Sequence, residues 1–171
     1  MSTTKGKLYI CPTPIGNLED ITIRVLNTLK NVDLIAAEDT RHTLKLLNHF
    51  GIQKPLTSYH EHNIRTKGII LINKLLEGKE IALVSDAGMP GISDPGSDII
   101  KLCIEEEIPF EVLPGATAGI LALVGSGLDT TRFAFEGFLE KGKKERRQRL
   151  ETIKKEDRTL IFYEAPHRIM N

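Results

Sequence analysis

Five short apolar runs rich in branched residues punctuate the chain: Lys7–Cys11, Asp33–Ala37, Pro55–Tyr59, Glu80–Ser85 and Pro109–Leu113. Each is too short for a stable helix and reads as a continuous apolar block, the pattern of a strand covered on both faces. Helical spacing fills the intervals. Ile21, Val25, Leu26 and Leu29 recur on one stripe, as do Leu44, Leu47 and Phe50, then Ile69, Ile72, Leu75 and Leu76, then Ile99, Ile100 and Ile104. Gly51 and Gly78 stand where left-handed C-terminal caps belong. Thr40 offers an N-cap side chain, and Asp94-Pro95 offers another with proline at the first helical position. Strand and helix alternating in this way imply a parallel sheet with helices on both sides, an α/β fold.

Beyond Pro114 the pattern changes. A helix of small residues, Ala116 to Val124, runs into a Gly-Ser-Gly-Leu turn, followed by a strand at Arg132–Leu139, a basic helix and a strand at Thr159–Tyr163. The expected division is an N-terminal α/β domain over 1–114 and a second α/β domain over 115–171. Glu164 to Asn171 reads as the start of another helix, with Pro166 in its first turn. Two strands and so little helix make too small a core to stand alone, so the second domain is expected to be truncated and the chain to belong to something longer.

Composition narrows the class. Hydrophobic residues at 40% and charged residues at 27% are ordinary for a soluble globular protein. No apolar run reaches the ~18 residues of a membrane span, and Met1–Lys7 lacks the apolar core of a secretory signal. Cys11 and Cys103 have no metal-ligand spacing and read as small buried hydrophobes of a reducing, cytoplasmic compartment. The formal net charge of zero hides one local concentration, Lys141 to Arg149, with six basic residues and one acidic. It is either the solvated face of a helix or a phosphate contact made by Lys141, Lys143, Lys144, Arg146 and Arg147.

In open parallel sheets, ligands sit beyond the carboxyl ends of the strands. There this sequence places Pro12–Asn17, Glu38–Arg41, His60–Asn63, a long loop opened by Asp86, and Pro114–Ala118. Glycines, prolines and ionisable groups collect on that edge. Gly88 and Gly91 permit close backbone approach to a ligand, and Asp86 can fix its polar groups. The glycine spacing matches neither the dinucleotide fingerprint nor the phosphate loop, so the expected ligand has no pyrophosphate. In His60-Glu61-His62 only the two histidines can converge, and no third ligand has suitable spacing, so no metal is expected. Asp39 and Arg41 form a carboxylate–guanidinium pair on the ligand edge or, equally, the ordinary start of a helix.

Taken in order, Thr13-Pro-Ile-Gly-Asn17, Ala37-Glu-Asp-Thr-Arg41, Ser85 to Gly96, Leu113-Pro-Gly-Ala-Thr-Ala118 and Phe162-Tyr-Glu-Ala-Pro-His-Arg168 resemble the tetrapyrrole methylase superfamily. Thr-Pro-Ile-Gly-Asn and Ser-Asp-Ala-Gly replace that superfamily's usual Gly-x-Gly-Pro-Gly and Gly-Gly-Asp, as in its branch acting on ribosomal RNA. The resemblance implies S-adenosylmethionine as cofactor, held in the cleft between two α/β domains. It implies 2′-O-methylation of a cytidine ribose in the 16S rRNA of the small ribosomal subunit, and a homodimer with no membrane association. By motif position, cofactor contacts fall on Ile15, Ser85, Asp86, Ala87, Gly88, Met89, Thr117, Ala118 and Glu164. Family segments beyond the last residue here help close that site. A base for the ribose hydroxyl is open among Asp39, His60 and Glu61, with the Asp39–Arg41 region preferred; the catalytic candidates are Asp39, Arg41 and His60. The alternatives are another acceptor, a tetrapyrrole or a diphthine-type protein side chain, or a non-catalytic module for an adenosine ligand.

Overall fold

The computed structural model describes residues 4–169. Its chain divides into two compact units, Met1–Thr117 and Ala118–Asn171. The first holds one parallel sheet in the order β3-β2-β4-β1-β5. The strands are β1 (Leu8–Ile10), β2 (Leu34–Ala37), β3 (Leu56–Ser58), β4 (Ile81–Val84) and β5 (Phe110–Val112). All five lie within the apolar runs of the sequence. The connecting helices are α1 (Ile23–Asn31), α2 (Thr40–His49), α3 (Ile64–Leu76) and α4 (Ser97–Glu105).

The strand order sets where the helices go. From β1 the chain steps outward to β2 and β3, then returns past β2 to β4 and crosses past β1 to β5. Right-handed crossovers place the outward helices on one face and the returning ones on the other. Packing agrees. Val25 and Leu29 of α1 and Leu46 and Leu47 of α2 bury against Ile35, Ala37, Ala82 and Val84. Leu71 and Leu75 of α3 and Ile99 and Cys103 of α4 bury against Leu8, Ile10, Ile81 and Leu83. The alternation of Ile81, Ala82, Leu83 and Val84 between the two cores explains why β4 is apolar at every position. The loops after β1 and β4 therefore leave the same sheet edge toward opposite faces, which makes their junction the switch point of the sheet.

Several local expectations change. Asp39, not Thr40, is the N-cap of α2, its side chain accepting from the Arg41 N–H. Asp94 caps nothing: α4 begins at Ser97, with Gly96 at the cap position and no side-chain cap bond. The backbones of Gly91 and Gly96 pack together so closely that a Cβ on Gly96 would stand 3.0 Å from the Gly91 nitrogen. That contact closes the loop and leaves Asp94 inside it. Leu44, Ile69 and Ile104 are exposed, because the buried stripes run through Leu46 and Leu47, Leu71 and Leu75, and Ile99 and Cys103. Gly51 and Gly78 do follow the last turns of α2 and α3 with positive φ. Cys11 and Cys103 are buried free thiols, pushed up by burial to about 12 and about 11.

In the second unit, α5 (Ala118–Gly125) starts two residues later than expected. It precedes a parallel pair, β6 (Phe133–Phe138) and β7 (Thr159–Tyr163), joined by α6 (Lys143–Ile153). Small residues let α5 lie close to β7: a Cβ on Gly119 would meet Ile161 at 3.3 Å, and the Gly119 N–H donates to the Tyr163 hydroxyl at 3.1 Å. The expected helix at the end of the sequence is a single 3-10 turn at Pro166–Arg168; Met170 and Asn171 lie outside the described residues. Among the described residues no helix is long and apolar enough to cross a membrane.

Candidate functional site at the sheet switch point

Three loops interlock beyond the carboxyl ends of β1, β4 and β5. Thr13 and Gly88 exchange a pair of backbone hydrogen bonds, each 3.0 Å. The Thr13 hydroxyl donates to the Ser85 carbonyl at 3.1 Å, and the Ser85 hydroxyl donates to the Gly88 carbonyl at 3.1 Å. Both hydroxyls are buried, so these bonds satisfy groups that water does not reach. Two glycines are required by geometry. Gly88 has φ +83° and a Cβ there would stand 3.3 Å from Ile15; a Cβ on Gly115 would stand 2.4 Å from Pro12. The glycine-rich stretch after β4 is therefore a fixed brace between loops.

Carboxylates gather beside this brace. Asp86 accepts the Asp39 N–H through Oδ1 at 3.0 Å, and its own N–H donates to Glu38 at 3.4 Å. Burial raises the Glu38 carboxyl above its usual range, with the nearby Asp86 charge adding to the effect. Asp94 is pushed up to about 6, first by burial and then by the charges of Glu38 and Asp86. Asp39 goes the other way: the Arg41 side chain and backbone hold it down to about 2. Arg41 itself is exposed.

His60 does not aim freely at this edge. Its backbone N–H donates to the Asn63 side-chain oxygen at 2.9 Å, and the Asn63 amide nitrogen sits 3.2 Å from His60 Nε2 and 3.2 Å from the Ser58 hydroxyl. The amide nitrogen donates to Nε2, and Nδ1 is buried with no hydrogen-bond partner among the described residues. His62 lies with its ring centroid 5.9 Å from that of His60 and is paired with Glu61. Among the described residues no group of three or more His, Cys, Asp or Glu side chains converges to hold a metal ion.

A cavity of about 290 Å³ opens on the α2 side of the brace. Of the residues expected to touch a cofactor, Ile15, Ser85, Asp86 and Ala87 line it. Gly88 is sealed in the brace, and Met89 packs against the α3–α4 core. Thr117 returns its hydroxyl to the Gly115 carbonyl. Ala118 and Glu164 belong to the second unit, where Glu164 pairs with Arg168 at 3.3 Å. In that unit Lys141, Lys143, Lys144 and Arg147 are exposed and Arg146 is half-buried, while Arg149 is engaged by Glu136.

The remaining cavity wall was not legible from strand ends alone. Beside the β1-loop residues Thr13, Pro14 and Gly16, it is made by Leu18, His42, Thr43, Lys45 and Leu46. Four of these come from one face of α2, and only the i, i+3, i+4 spacing from His42 could have signalled them. Thr43 is buried and its hydroxyl has no partner, an arrangement that costs about 1–3 kcal/mol.

Residues 7–171 match the family described as Tetrapyrrole (Corrin/Porphyrin) Methylases. A Halalkalibacterium halodurans protein named ribosomal RNA small subunit methyltransferase I is 59% identical over 165 residues, covering 96% of this chain and 57% of its own. A Thermotoga maritima protein of the same name is 51% identical over 166 residues, covering 97% of this chain and 74% of its own. The crystal structure of a diphthine synthase superposes with a TM-score of 0.74 at 15% identity, over 95% of this chain and 66% of that one; this likeness bears on the fold alone. This chain therefore spans 57% of the length of the first of these relatives. The chain belongs to the tetrapyrrole methylase family, in the branch named for ribosomal RNA small subunit methyltransferase I.

Proposed function

We propose that the protein of which this chain is representative is an S-adenosylmethionine-dependent methyltransferase acting on the ribose 2′-hydroxyl of a cytidine in small-subunit (16S) ribosomal RNA. The observation that carries this reading is the braced junction of the β1 and β4 loops, in a chain whose relatives are named for methylation of that RNA. The junction suits the cofactor chemically. Ala87 is exposed beside the brace, and the neighbouring carboxylates of Asp86 and Glu38 favour a cationic sulfonium. The cofactor would be held by Ile15, by Ser85 to Met89 and by Thr117; Ala118 and Glu164 are the further contacts that motif position assigns. Bound S-adenosylmethionine supplies a methyl group activated by its sulfonium.

The rest falls to this chain's own residues. The ribose oxygen must be held on line with the methyl, about 3 Å away, and relieved of its proton. Asp86 is the carboxylate lining the cavity, and the bond from Asp39 engages only Oδ1. We assign the proton-accepting role to Asp86. Asp39 is committed to the α2 cap and to Arg41, and at about 2 it is a feeble base. Its role is to present the exposed Arg41 guanidinium to an RNA phosphate. His60 keeps its loop in place through Asn63. The basic face of α6, with Lys141, supplies further phosphate contacts, and a homodimer is the expected assembly.

Transfer of radiolabelled methyl from S-adenosylmethionine to undermethylated small ribosomal subunits tests the proposal. Label in the ribose of one cytidine is expected. Label in a tetrapyrrole or a protein side chain instead would move the acceptor, and cofactor binding with no label anywhere would leave a non-catalytic adenosine-ligand module.

A further inference from the structure

The cavity beside the β1 loop has chemistry that a methyl donor alone does not use. Its α2 wall carries the Lys45 ammonium and the His42 imidazole, both exposed, and between them the buried Thr43, whose hydroxyl has no partner. Ile15 and Leu18 of the β1 loop stand with Leu46 as its apolar lining. The lining holds one ammonium, Lys45 on the α2 wall, and one carboxylate, Asp86 at the brace; a phosphodiester is attracted to the Lys45 end, and the net positive charge of S-adenosylmethionine to the Asp86 end. The volume of about 290 Å³ lies at the lower end of the range for small-ligand sites, which begins at roughly 300 Å³. Gly88 and Met89, expected to touch the cofactor, are absent from the lining.

We propose that this cavity receives the acceptor nucleoside of the RNA, extruded from its strand. Ile15, Leu18 and Leu46 bracket the base, the Thr43 hydroxyl pairs with a polar group of the nucleoside, and Lys45 and His42 face the adjoining phosphate. The inference rests on the reading of the protein as an RNA methyltransferase and assigns the acceptor to one side of the Thr13–Gly88 brace, leaving the Gly88–Met89 side to the donor. Ile15, Ser85, Asp86 and Ala87 then form a wall shared by both, which is where a transferred group must pass. Taking a nucleotide out of its stack is the general solution for chemistry that a paired strand would hinder, and apolar side chains suit the faces of the exposed base.

The test is a titration of the isotopically labelled chain, followed by amide NMR, with cytidine monophosphate, with cytidine and with S-adenosylmethionine. Cytidine monophosphate is expected to shift the amides of His42, Thr43 and Lys45. Thr43→Val should weaken it about tenfold, one hydrogen bond's worth, while cofactor binding holds. Lys45→Ala, an exposed change that keeps the fold should Thr43→Val fail to, should weaken the nucleotide about threefold and leave cytidine unaffected. Cofactor shifts centred on Thr43 and Lys45 would overturn the inference, because the cavity would then be the donor's. So would nucleotide binding that leaves those amides unmoved, or no nucleotide binding beside normal cofactor binding. Nucleotide shifts at the cavity with no cofactor binding anywhere would support the cavity assignment and sink the methyltransferase reading instead.

Discussion

Thr13 and Gly88 face each other across the sheet switch point and exchange two backbone hydrogen bonds of 3.0 Å, fastening the loop after β1 to the loop after β4. The loops depart toward opposite faces of the sheet, so nothing in the regular strand ladder holds them together. This short bridge does so, with the buried Thr13 hydroxyl adding a third bond across it to the Ser85 carbonyl and the Ser85 hydroxyl bracing the β4 loop internally at the Gly88 carbonyl.

Gly88→Ala should break that arrangement. At φ +83° a side chain is strained by about 1–2 kcal/mol, and the added methyl stands 3.3 Å from Ile15. A melting temperature lower by roughly 2–8 °C is expected, together with loss of S-adenosylmethionine affinity by calorimetry. Unchanged melting and affinity would mean that the brace is slack.

Asp86→Asn separates charge from scaffold. The amide oxygen still accepts the Asp39 N–H, so the fold should hold, while turnover in a methyl-transfer assay falls about 10²–10⁴-fold. Asp86→Ala should also lose about 1–3 kcal/mol of stability. Full turnover in the asparagine variant would remove Asp86 from the proton-accepting role.

Asp94 predicts a pH dependence. Its carboxyl rises from 3.8 to about 6 on folding, so the folded state holds the proton more tightly than the unfolded. That contribution favours the fold below 3.8 and is lost as pH climbs through about 6. Asp94→Asn should therefore raise stability at pH 8 by about 1 kcal/mol, discounted for partial solvent exposure, with little gain at acid pH. Thermal melts across the range would check it, and a gain at acid pH only would reverse the sign.

The exposed cations of α6 predict a salt effect. Replacing Lys143, Lys144 and Arg147 by alanine should reduce the slope of log affinity against log salt by roughly 2 for single-stranded RNA. An unchanged slope would leave that face merely solvated.

Much of this is legible in the sequence. Continuous apolar blocks gave the five strands because each side of the sheet is covered, and Gly51 and Gly78 marked helix ends by the conformation they alone adopt easily. The failures share a cause. Asp94 satisfies every local rule for an N-cap, yet the Gly91–Gly96 contact, a tertiary matter, moves the helix start beyond it. Leu44, Ile69 and Ile104 share the helical period of their neighbours, but the exact azimuth of a helix on its sheet is set by packing. Strand ends identified Ser85, Asp86 and Ala87 at the cavity; the α2 residues were missed because the i, i+3, i+4 spacing from His42 marks a helix face without saying what that face meets.

The most direct test of the central claim is the structure of this chain crystallised with S-adenosylmethionine. Density for the donor is predicted against Ile15 and the backbone of Ala87 to Met89, with the Thr13–Gly88 bonds intact. Donor density elsewhere in the molecule, with those loops closed on themselves, would contradict the account.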